Sequence, residues 1–229
     1  MMSKITIGVD IGGTKIRGVL WDGEKVLKAR EMATPKNVAA FKLTLIELVE
    51  SLGGASNISI GAAGTAKGNV LMSSPNIPYI KHFDFSKMKG ISFRGALDND
   101  ARCFARAEYK RGSAAGGKTT FFVTLGTGVG RAVGKDSKIL KIKKFERAER
   151  WEPEYQKIRD SKNNKKLTEY LGKKLTTLVK PYRPHTVVVG GGISARKGFF
   201  AELKKASGLP LKKSRFGKNA VAVGAAMFF

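Results

Sequence analysis

The most informative stretch of this sequence reads Asp10-Ile11-Gly12-Gly13-Thr14-Lys15. Alternating apolar residues from Lys4 to Asp10 predict a strand before it, and a second alternating run from Thr14 predicts a strand after it. Two glycines between strands let the backbone approach a phosphate, while Thr14 and Lys15 add a hydroxyl and a cation. Asp10, at the strand end, is a candidate magnesium ligand. A plain β-turn that happens to contain an acid is the alternative.

Two further glycine turns follow apolar strands in the second half of the chain. Leu125-Gly126-Thr127-Gly128-Val129-Gly130 repeats the strand–turn–strand arrangement, and Val187–Val189 runs into Gly190, Gly191 and Gly192. The first two turns are expected to face each other across a cleft and hold a polyphosphate tail through backbone N–H groups. The third leaves room for a planar base or a ribose beside the backbone.

Acidic residues stand where a predicted strand gives way to a helix, in Leu97-Asp98-Asn99-Asp100-Ala101. A carboxylate in such a place is commonly a helix cap. The functional interpretation is a general base that accepts a hydroxyl proton during phosphoryl transfer, with Asn99 binding a neighbouring hydroxyl. Spacing alone does not choose between Asp98 and Asp100.

The chain is predicted to form two related lobes, residues 1–111 and 112–229, joined by the small-residue stretch 112–117. Both halves read as three strands followed by helices and further strands, which indicates an α/β fold. The last helix, near residues 218–228, is a candidate to pack back on the first lobe.

Local signals add three expectations. Pro35 is expected to open the first helix, and residues 64–90 are expected to be mostly loop. Gly112–Thr119 fits the P-loop spacing, but it is expected to follow a helix and precede a strand. A P-loop needs the reverse order, so this match is interpreted as chance.

Composition excludes several classes of protein. The chain has 229 residues, of which 42% are hydrophobic, enough to form a core. Its one cysteine, Cys103, excludes an internal disulfide framework and a cysteine-rich zinc site. No signal-peptide stretch and no membrane span is found, so a cytoplasmic location is expected.

The charge is strongly positive and unevenly distributed. Forty-three Lys and Arg against 18 Asp and Glu give a net charge of +25, and residues 111–229 alone carry 27 basic and 8 acidic side chains. Such a field favours polyanions, including nucleic acid, nucleotides and polyphosphate. A general effect on solubility is the alternative.

In order along almost the whole chain, these motifs resemble those of the ROK sugar kinases, which have the two-lobed actin-like ATPase (ribonuclease H-like) fold. The resemblance implies that nucleotide and substrate bind in the cleft between the lobes. It implies phosphate binding by Asp10–Lys15 and by Gly126–Gly128, and adenosine binding by Gly190–Gly192.

The resemblance also suggests roles on the substrate side. Asp98-Asn99-Asp100-Ala101-Arg102 is similar to the family's Glu-Asn-Asp-Ala-Asn stretch, which implies Asp100 as the catalytic base and Asn99 as a sugar ligand. Ser74-Pro75-Asn76-Ile77-Pro78 is similar to the family's Pro-Asn-Leu-Pro loop, which implies Asn76 as a substrate-binding residue.

The chain departs from the family pattern at one place. The family commonly has Gly-Glu-x-Gly-His, followed by a zinc loop rich in cysteine, where this chain has Phe145-Glu146-Arg147-Ala148-Glu149. Glu146 and Glu149 are therefore candidate sugar ligands, or else belong to a solvated charged face, and no zinc site is expected.

The activity that the resemblance implies is ATP-dependent phosphorylation of a sugar hydroxyl, on a hexose or an N-acetylhexosamine, with Mg²⁺. Polyphosphate as the donor is one alternative. A degenerate kinase fold that binds nucleic acid or another polyanion is an alternative of another class. Family members often form dimers, so a homodimer is one expected assembly.

Overall fold

The computed structural model describes residues 5–54, 57–91 and 93–229. Its strands are β1 (Thr6–Ile11), β2 (Lys15–Trp21), β3 (Val26–Ala33), β4 (Ile58–Ala62), β5 (Thr65–Lys67), β6 (Val70–Ser73), β7 (Lys81–Asp84), β8 (Leu97–Asn99), β9 (Thr120–Leu125), β10 (Val129–Lys135), β11 (Lys138–Ile139), β12 (Thr186–Gly190) and β13 (Leu211–Lys213). Its helices are α1 (Val38–Ser51), α2 (Asp100–Lys110), α3 (Glu152–Asp160), α4 (Asn164–Val179), α5 (Phe199–Ser207) and α6 (Ala220–Ala226).

The chain divides into two compact units. The first comprises Met1–Ala107 together with Asn219–Phe229, and the second comprises Glu108–Lys218. The chain therefore leaves the first unit after Ala107 and returns to it after Lys218.

The two units contain sheets of the same design. The sheet of the first unit has the order β3-β2-β1-β4-β8, and that of the second has the order β11-β10-β9-β12-β13. In each sheet the first three strands along the chain are antiparallel, a later strand pairs in parallel with the first of them, and one further strand pairs in parallel with that later strand. The prediction of an α/β fold is confirmed.

Helix α6 is part of the core of the first unit. It packs against β1 and β4, and Thr6 Oγ1 donates a hydrogen bond to Ala226 O at 3.2 Å. Gly8 on β1 permits this approach, since a Cβ there would lie 1.8 Å from Ala222 O. Helix α6, near the last described residue, thus packs directly on β1, near the first.

The structure differs from the sequence-based expectations in three local features. Helix α1 begins at Val38 and not at Pro35, because the side chain of Asn37 accepts a hydrogen bond from Ala40 N at 2.9 Å and caps the helix. The loop-rich stretch 64–90 also contains a three-stranded antiparallel sheet, β5-β6-β7, whose strands of three or four residues are too short to show a period. Strand β13 was missed for the same reason.

The sequence predicts that the strand before Asp98 covers Ile91–Leu97, and the structure differs from this prediction. Strand β8 begins only at Leu97 and continues through Asn99, one residue before α2. Part of the predicted strand, at Ser92, lies outside the described residues. This shift places Asp98 and Asn99 in the sheet itself, beside β4.

Candidate functional site

The first glycine turn is a tight hairpin between β1 and β2. Gly12 N donates to Lys15 O at 3.0 Å and closes the hairpin, which leaves Gly13 and Thr14 exposed at the tip. Thr34 binds the turn from the side, because its Oγ1 donates to Gly12 O at 2.7 Å and its N donates to Thr14 O at 2.9 Å. The turn's backbone is therefore held in one conformation by a residue that the sequence did not single out.

The predicted substrate loop lies against this turn. A Cβ on Gly13 would lie 2.8 Å from Asn76 O and 3.1 Å from Asn76 Cβ. The next residue, Ile77, is buried in the core of the first unit and fixes the loop there. The structure thus brings Asn76 into direct proximity with the first glycine turn.

Lys15 does not extend over the turn. Its Nζ lies 2.5 Å from Glu31 Oε1 on the neighbouring strand β3, and its side chain is 63% exposed. Arg17 pairs with the other oxygen of Glu31 and also donates to Asn219 Oδ1 at 3.3 Å. A bound phosphate would have to compete with Glu31 for Lys15.

Three parallel strands bring the acidic candidates to one edge of the sheet. Asp10 on β1 is in register with Gly61 on β4, which is in register with Asp98 on β8. Asp100 follows one residue beyond the end of β8, as the first residue of α2. The carboxyl ends of parallel strands are where ligands bind in sheets of this kind.

The geometry separates the roles of Asp98 and Asp100. Asp98 pairs with two arginines of α2: its Oδ1 lies 2.6 Å from Arg102 Nε, and its Oδ2 is bound by Arg106. Burial acts to raise the pKa of Asp98, but the charges and hydrogen bonds of these arginines outweigh it and lower the pKa. Asp98 is thus a structural ion-pair residue.

Asp100 has a different environment. Its Oδ1 accepts a hydrogen bond from Ala101 N at 2.8 Å, and burial raises the pKa of its carboxyl above the usual value. Asn99 is buried, and its Oδ1 accepts from Ala101 N at 3.1 Å, so that oxygen caps α2. A carboxylate with a raised pKa beside a helix start fits a group that accepts a proton.

The negative charge of Asp100 acts on Asp10. Burial, followed by the charge of Asp100, raises the pKa of Asp10 to about 7, and Arg17 opposes both effects. A cation would stabilise the charged form of a buried carboxylate whose pKa is raised in this way, and carboxylate oxygens suit Mg²⁺. The residues present therefore fit a magnesium ion at Asp10.

The second glycine turn is held from behind by α3. Gly126 N donates to Gly128 O at 3.0 Å and closes the turn. Tyr155 Oη donates to Gly126 O at 2.8 Å, and Arg159 Nη1 donates to Thr127 O at 2.6 Å. Helix α3 thus fixes the backbone of the turn through the carbonyl oxygens of Gly126 and Thr127.

The third glycine turn lies beside the second. Strand β12 is parallel to β9, with Gly190 opposite Thr124. Gly191 adopts φ +87°, and a Cβ on it would lie 2.3 Å from Leu125 O. A Cβ on Gly192, by contrast, would meet no atom within 4 Å. The structure thus brings the predicted phosphate and adenosine turns of the second unit together.

Glu149 is engaged by a buried arginine. Arg131 on β10 is 1% exposed; its guanidinium pairs with the Glu149 carboxylate, donates to Arg147 O and lies 5.2 Å from the centre of the Phe145 ring. Glu149 also lines a pocket of about 320 Å³ with Phe145, Trp151, Tyr182, Lys144, Lys174, Thr177, Leu178 and Pro181. Glu146 lies in the short 3₁₀ turn before it, half-buried.

The remaining motifs have structural roles. Cys103 on α2 is buried, and its Sγ would lie 3.1 Å from a Cβ on Gly61. Gly112–Thr119 follows α2 and precedes β9, so it lacks the strand-to-helix order of a P-loop, as predicted. Within the described ranges, His, Cys, Asp and Glu form no group of three or more that could hold a metal. None of the helices among the described residues is long and apolar enough to cross a bilayer.

Several site residues were not predicted. Glu31 on β3, and Thr34 just after it, reach the first turn because β3 pairs with β2. Arg131 lies on β10 and Glu152 on α3, and no local sequence signal marks either of them. The pairing of Asp98 does have a local sequence signal. Arg102 and Arg106 stand four and eight residues later, and their spacing places the two arginines on the same side of a helix.

The model of one protein family, described as the ROK family, matches residues 6–144, more than half of the chain. This chain belongs to the ROK family. Among related ROK proteins, a glucokinase of Streptomyces coelicolor is 32% identical over 136 residues, which are 56% of this chain and 43% of the relative. The N-acetylgalactosamine kinase AgaK of Shewanella sp. is 30% identical over 142 residues, 58% of this chain and 46% of the relative. The matches thus span about half the length of these relatives.

Solved ROK structures share the fold. A ROK family glucokinase from Streptomyces griseus, solved with glucose and AMPPNP, superposes with a TM-score of 0.80 at 21% identity, covering 98% of both chains. An inorganic polyphosphate/ATP-glucomannokinase from Arthrobacter sp. superposes with a TM-score of 0.79 at 25% identity, covering 97% of both chains. The fold of this ROK chain is the actin-like ATPase fold.

Proposed function

We propose that this ROK family protein is an ATP-dependent sugar kinase that phosphorylates a hydroxyl of a hexose or an N-acetylhexosamine. The observation that carries the proposal is the separation of the two acids: Asp98 is paired with arginines, while Asp100 keeps a carboxyl of raised pKa at the carboxyl edge of the sheet. Relatives named glucokinase and N-acetylgalactosamine kinase support the choice of substrate class.

Asp100 would act as the general base. The sugar hydroxyl gives its proton to the Asp100 carboxylate as its oxygen bonds to the γ-phosphorus, and the bond from that phosphorus to the bridging oxygen of ADP breaks. Asn76, Asn99, Glu146 and Glu149 are the candidate sugar ligands. Of these, Glu149 would have to bind sugar while its carboxylate is paired with Arg131.

Backbone groups and Mg²⁺ would hold the donor. Gly12–Lys15 and Gly126–Gly128 would bind phosphates through backbone N–H groups, and Gly190–Gly192 would leave space for adenosine. Asp10 would hold Mg²⁺, which when bound neutralises charge on the phosphates. In this scheme the chain contributes chiefly position and electrostatic stabilisation.

The test is ADP release from Mg-ATP with a panel of hexoses and N-acetylhexosamines. Asp100→Asn is expected to lower kcat at least about 100-fold, the lower range for loss of a general base, while nucleotide affinity stays within about twofold. Asp136→Asn is the matched control, because Asp136 is exposed at φ +50°, where asparagine is well accommodated. Normal turnover by Asp100→Asn would contradict the assignment of the base, and no sugar-dependent release by the wild type would contradict the activity.

Inorganic polyphosphate is a second candidate donor. The 27 basic against 8 acidic side chains in residues 111–229 favour a long polyanion, and a polyphosphate/ATP-glucomannokinase shares the fold. Phosphorylation of the same sugar with polyphosphate at low and high salt tests this donor. Turnover with ATP alone at every salt concentration would exclude it.

A further inference from the structure

Glu152 is a buried carboxylate to which the proposed mechanism assigns no role. It is the first residue of α3 and only 6% exposed. Its Oε2 accepts a hydrogen bond from Val129 N at 3.1 Å, and its Oε1 accepts one from Glu149 N at 2.8 Å. A single carboxylate therefore joins two segments that lie 20 residues apart in the sequence.

One of these segments is the second glycine turn. Val129 directly follows Gly128, and a Cβ on Gly128 would lie 3.0 Å from Glu152 Oε2. Tyr155, one turn further along α3, donates to Gly126 O at 2.8 Å. Glu152 thus fixes the end of a turn whose opposite end is fixed by the same helix.

The other segment holds the candidate sugar ligands Glu146 and Glu149. Besides the bond to Glu152, it is held by Arg131, which pairs with the Glu149 carboxylate and donates to Arg147 O. Arg131 is itself only two residues beyond Val129 on β10. Two charged side chains, those of Arg131 and Glu152, therefore connect the segment with the turn. Of the two, Glu152 binds the backbone of both directly.

We infer that Glu152 is a positioning residue that couples the donor turn at Gly126–Gly128 to the acceptor segment Glu146–Glu149. The inference rests on the proposed function, since it takes these segments as donor and acceptor sites. Because one carboxylate holds both N–H groups, a ligand that moves Val129 also moves Glu149. Coupling of this kind is reciprocal: sugar changes nucleotide affinity by the same factor by which nucleotide changes sugar affinity.

Glu152→Gln tests the coupling with little change in shape. An amide has one acceptor oxygen in place of two, so one of the two N–H groups would face an NH₂ group. Glu154→Gln is the matched control, because Glu154 lies in the same first turn of α3 and is exposed. Both substitutions remove one negative charge from the same part of the helix.

The readout is nucleotide affinity measured with and without a saturating sugar. We expect the wild type and Glu154→Gln to bind AMPPNP several-fold more tightly with sugar, and Glu152→Gln to lose this factor. Amide hydrogen exchange gives a second readout that needs no turnover: AMPPNP should slow exchange at Glu149 in the wild type and not in Glu152→Gln. Glu152→Asp, which keeps the charge, covers the case in which the glutamine variant fails to fold, and it is expected to keep part of the factor.

The outcomes distinguish this inference from the proposed function. Absence of sugar-dependent ADP release from the wild type would contradict the proposed function. Normal turnover together with unchanged coupling and exchange in Glu152→Gln would overturn the inference alone. A lower Tm in Glu152→Gln with its coupling intact would also overturn it, because Glu152 would then only stabilise the fold.

Discussion

The carbonyl oxygen of Asn76 lies directly over Gly13, 2.8 Å from where a Cβ on that glycine would stand. The substrate loop and the first phosphate turn are thus packed backbone to backbone, with no side chain between them. Neither can move toward the other, and the contact requires that residue 13 has no side chain.

Gly13→Ala is therefore expected to displace the Asn76 loop. An extra methyl group in such a contact costs about 1–3 kcal/mol of the free energy of unfolding. Gly126→Ala is the steric comparison. A Cβ there meets no atom within 4 Å, so the free energy of unfolding of this variant should be unchanged. Urea unfolding measures both variants, and equal stability for the two would show that the loop adjusts freely.

Gly191→Ala is expected to destabilise the second unit more strongly. The substitution would place a Cβ 2.3 Å from Leu125 O at a residue with φ +87°. With ψ 164°, this backbone conformation is one that essentially only glycine adopts, and it costs about 1–3 kcal/mol for a residue with a Cβ, before the clash is counted. Its neighbour Gly192 has open space, so Gly192→Ala should change stability by less than about 1 kcal/mol. Thermal unfolding of the pair decides, and equal Tm values would contradict the geometry.

Asp98→Asn is expected to cost about 3 kcal/mol at pH 7, because it leaves Arg102 and Arg106 partly buried without their acid. The pKa of Asp98 is lower in the folded state than the usual 3.8, so its contribution is present above pH 3.8 and is lost as the pH falls further. The difference between variant and wild type should therefore shrink below pH 3.8.

Asp160→Asn is the control for this experiment. Asp160 pairs with Arg159 at 2.7 Å, but its side chain is 66% exposed, and solvent-exposed pairs of this kind contribute little to the free energy of unfolding. Denaturant unfolding between pH 2.5 and pH 7 compares the two. A pH-independent deficit in Asp98→Asn would mean that packing, and not the ion pairs, accounts for the loss.

Glu108→Gln is expected to loosen the chain where it enters and leaves the second unit. The buried Glu108 carboxylate accepts from Ser113 N at 2.8 Å, Ser214 Oγ at 2.5 Å, Arg215 N at 3.1 Å and Phe216 N at 3.1 Å. A glutamine side chain has one acceptor oxygen, so it can bind the donors on only one of the two carboxylate oxygens. The substitution should lower the free energy of unfolding by about 2–3 kcal/mol. The exposed Glu169→Gln on α4 should differ from wild type by less than about 0.5 kcal/mol. Similar unfolding midpoints for both would contradict the prediction.

The parts of the site that could be predicted are those encoded in a few consecutive residues. Asp10–Lys15, Gly126–Gly128 and Gly190–Gly192 each consist of an apolar strand followed by glycines, and the structure places each of them at a strand end. The parallel partners of β1 and β9 also follow from the order of strands and helices along the chain.

Contacts between distant segments could not be predicted. The sequence predicts that Lys15 binds phosphate, and it gives no sign that the pairing of β2 with β3 places Glu31 beside Lys15. The sequence predicts that the Glu149 carboxylate binds sugar. It does not predict that Arg131, buried on β10, pairs with this carboxylate, or that Glu152 binds the backbone N–H of Glu149. These contacts depend on how strands and helices pack, and a single sequence contains no local pattern for them.

The return of α6 to the first unit has a consequence for biosynthesis. A ribosome completes β1 more than 200 residues before it makes Ala222 and Ala226, whose backbone covers Gly8 and Thr6. Throughout synthesis of residues 108–218, α6 is not yet available to cover this face of β1, which leaves its apolar side chains open to chaperones. A nascent chain of this protein should therefore remain a chaperone client until α6 has left the exit tunnel.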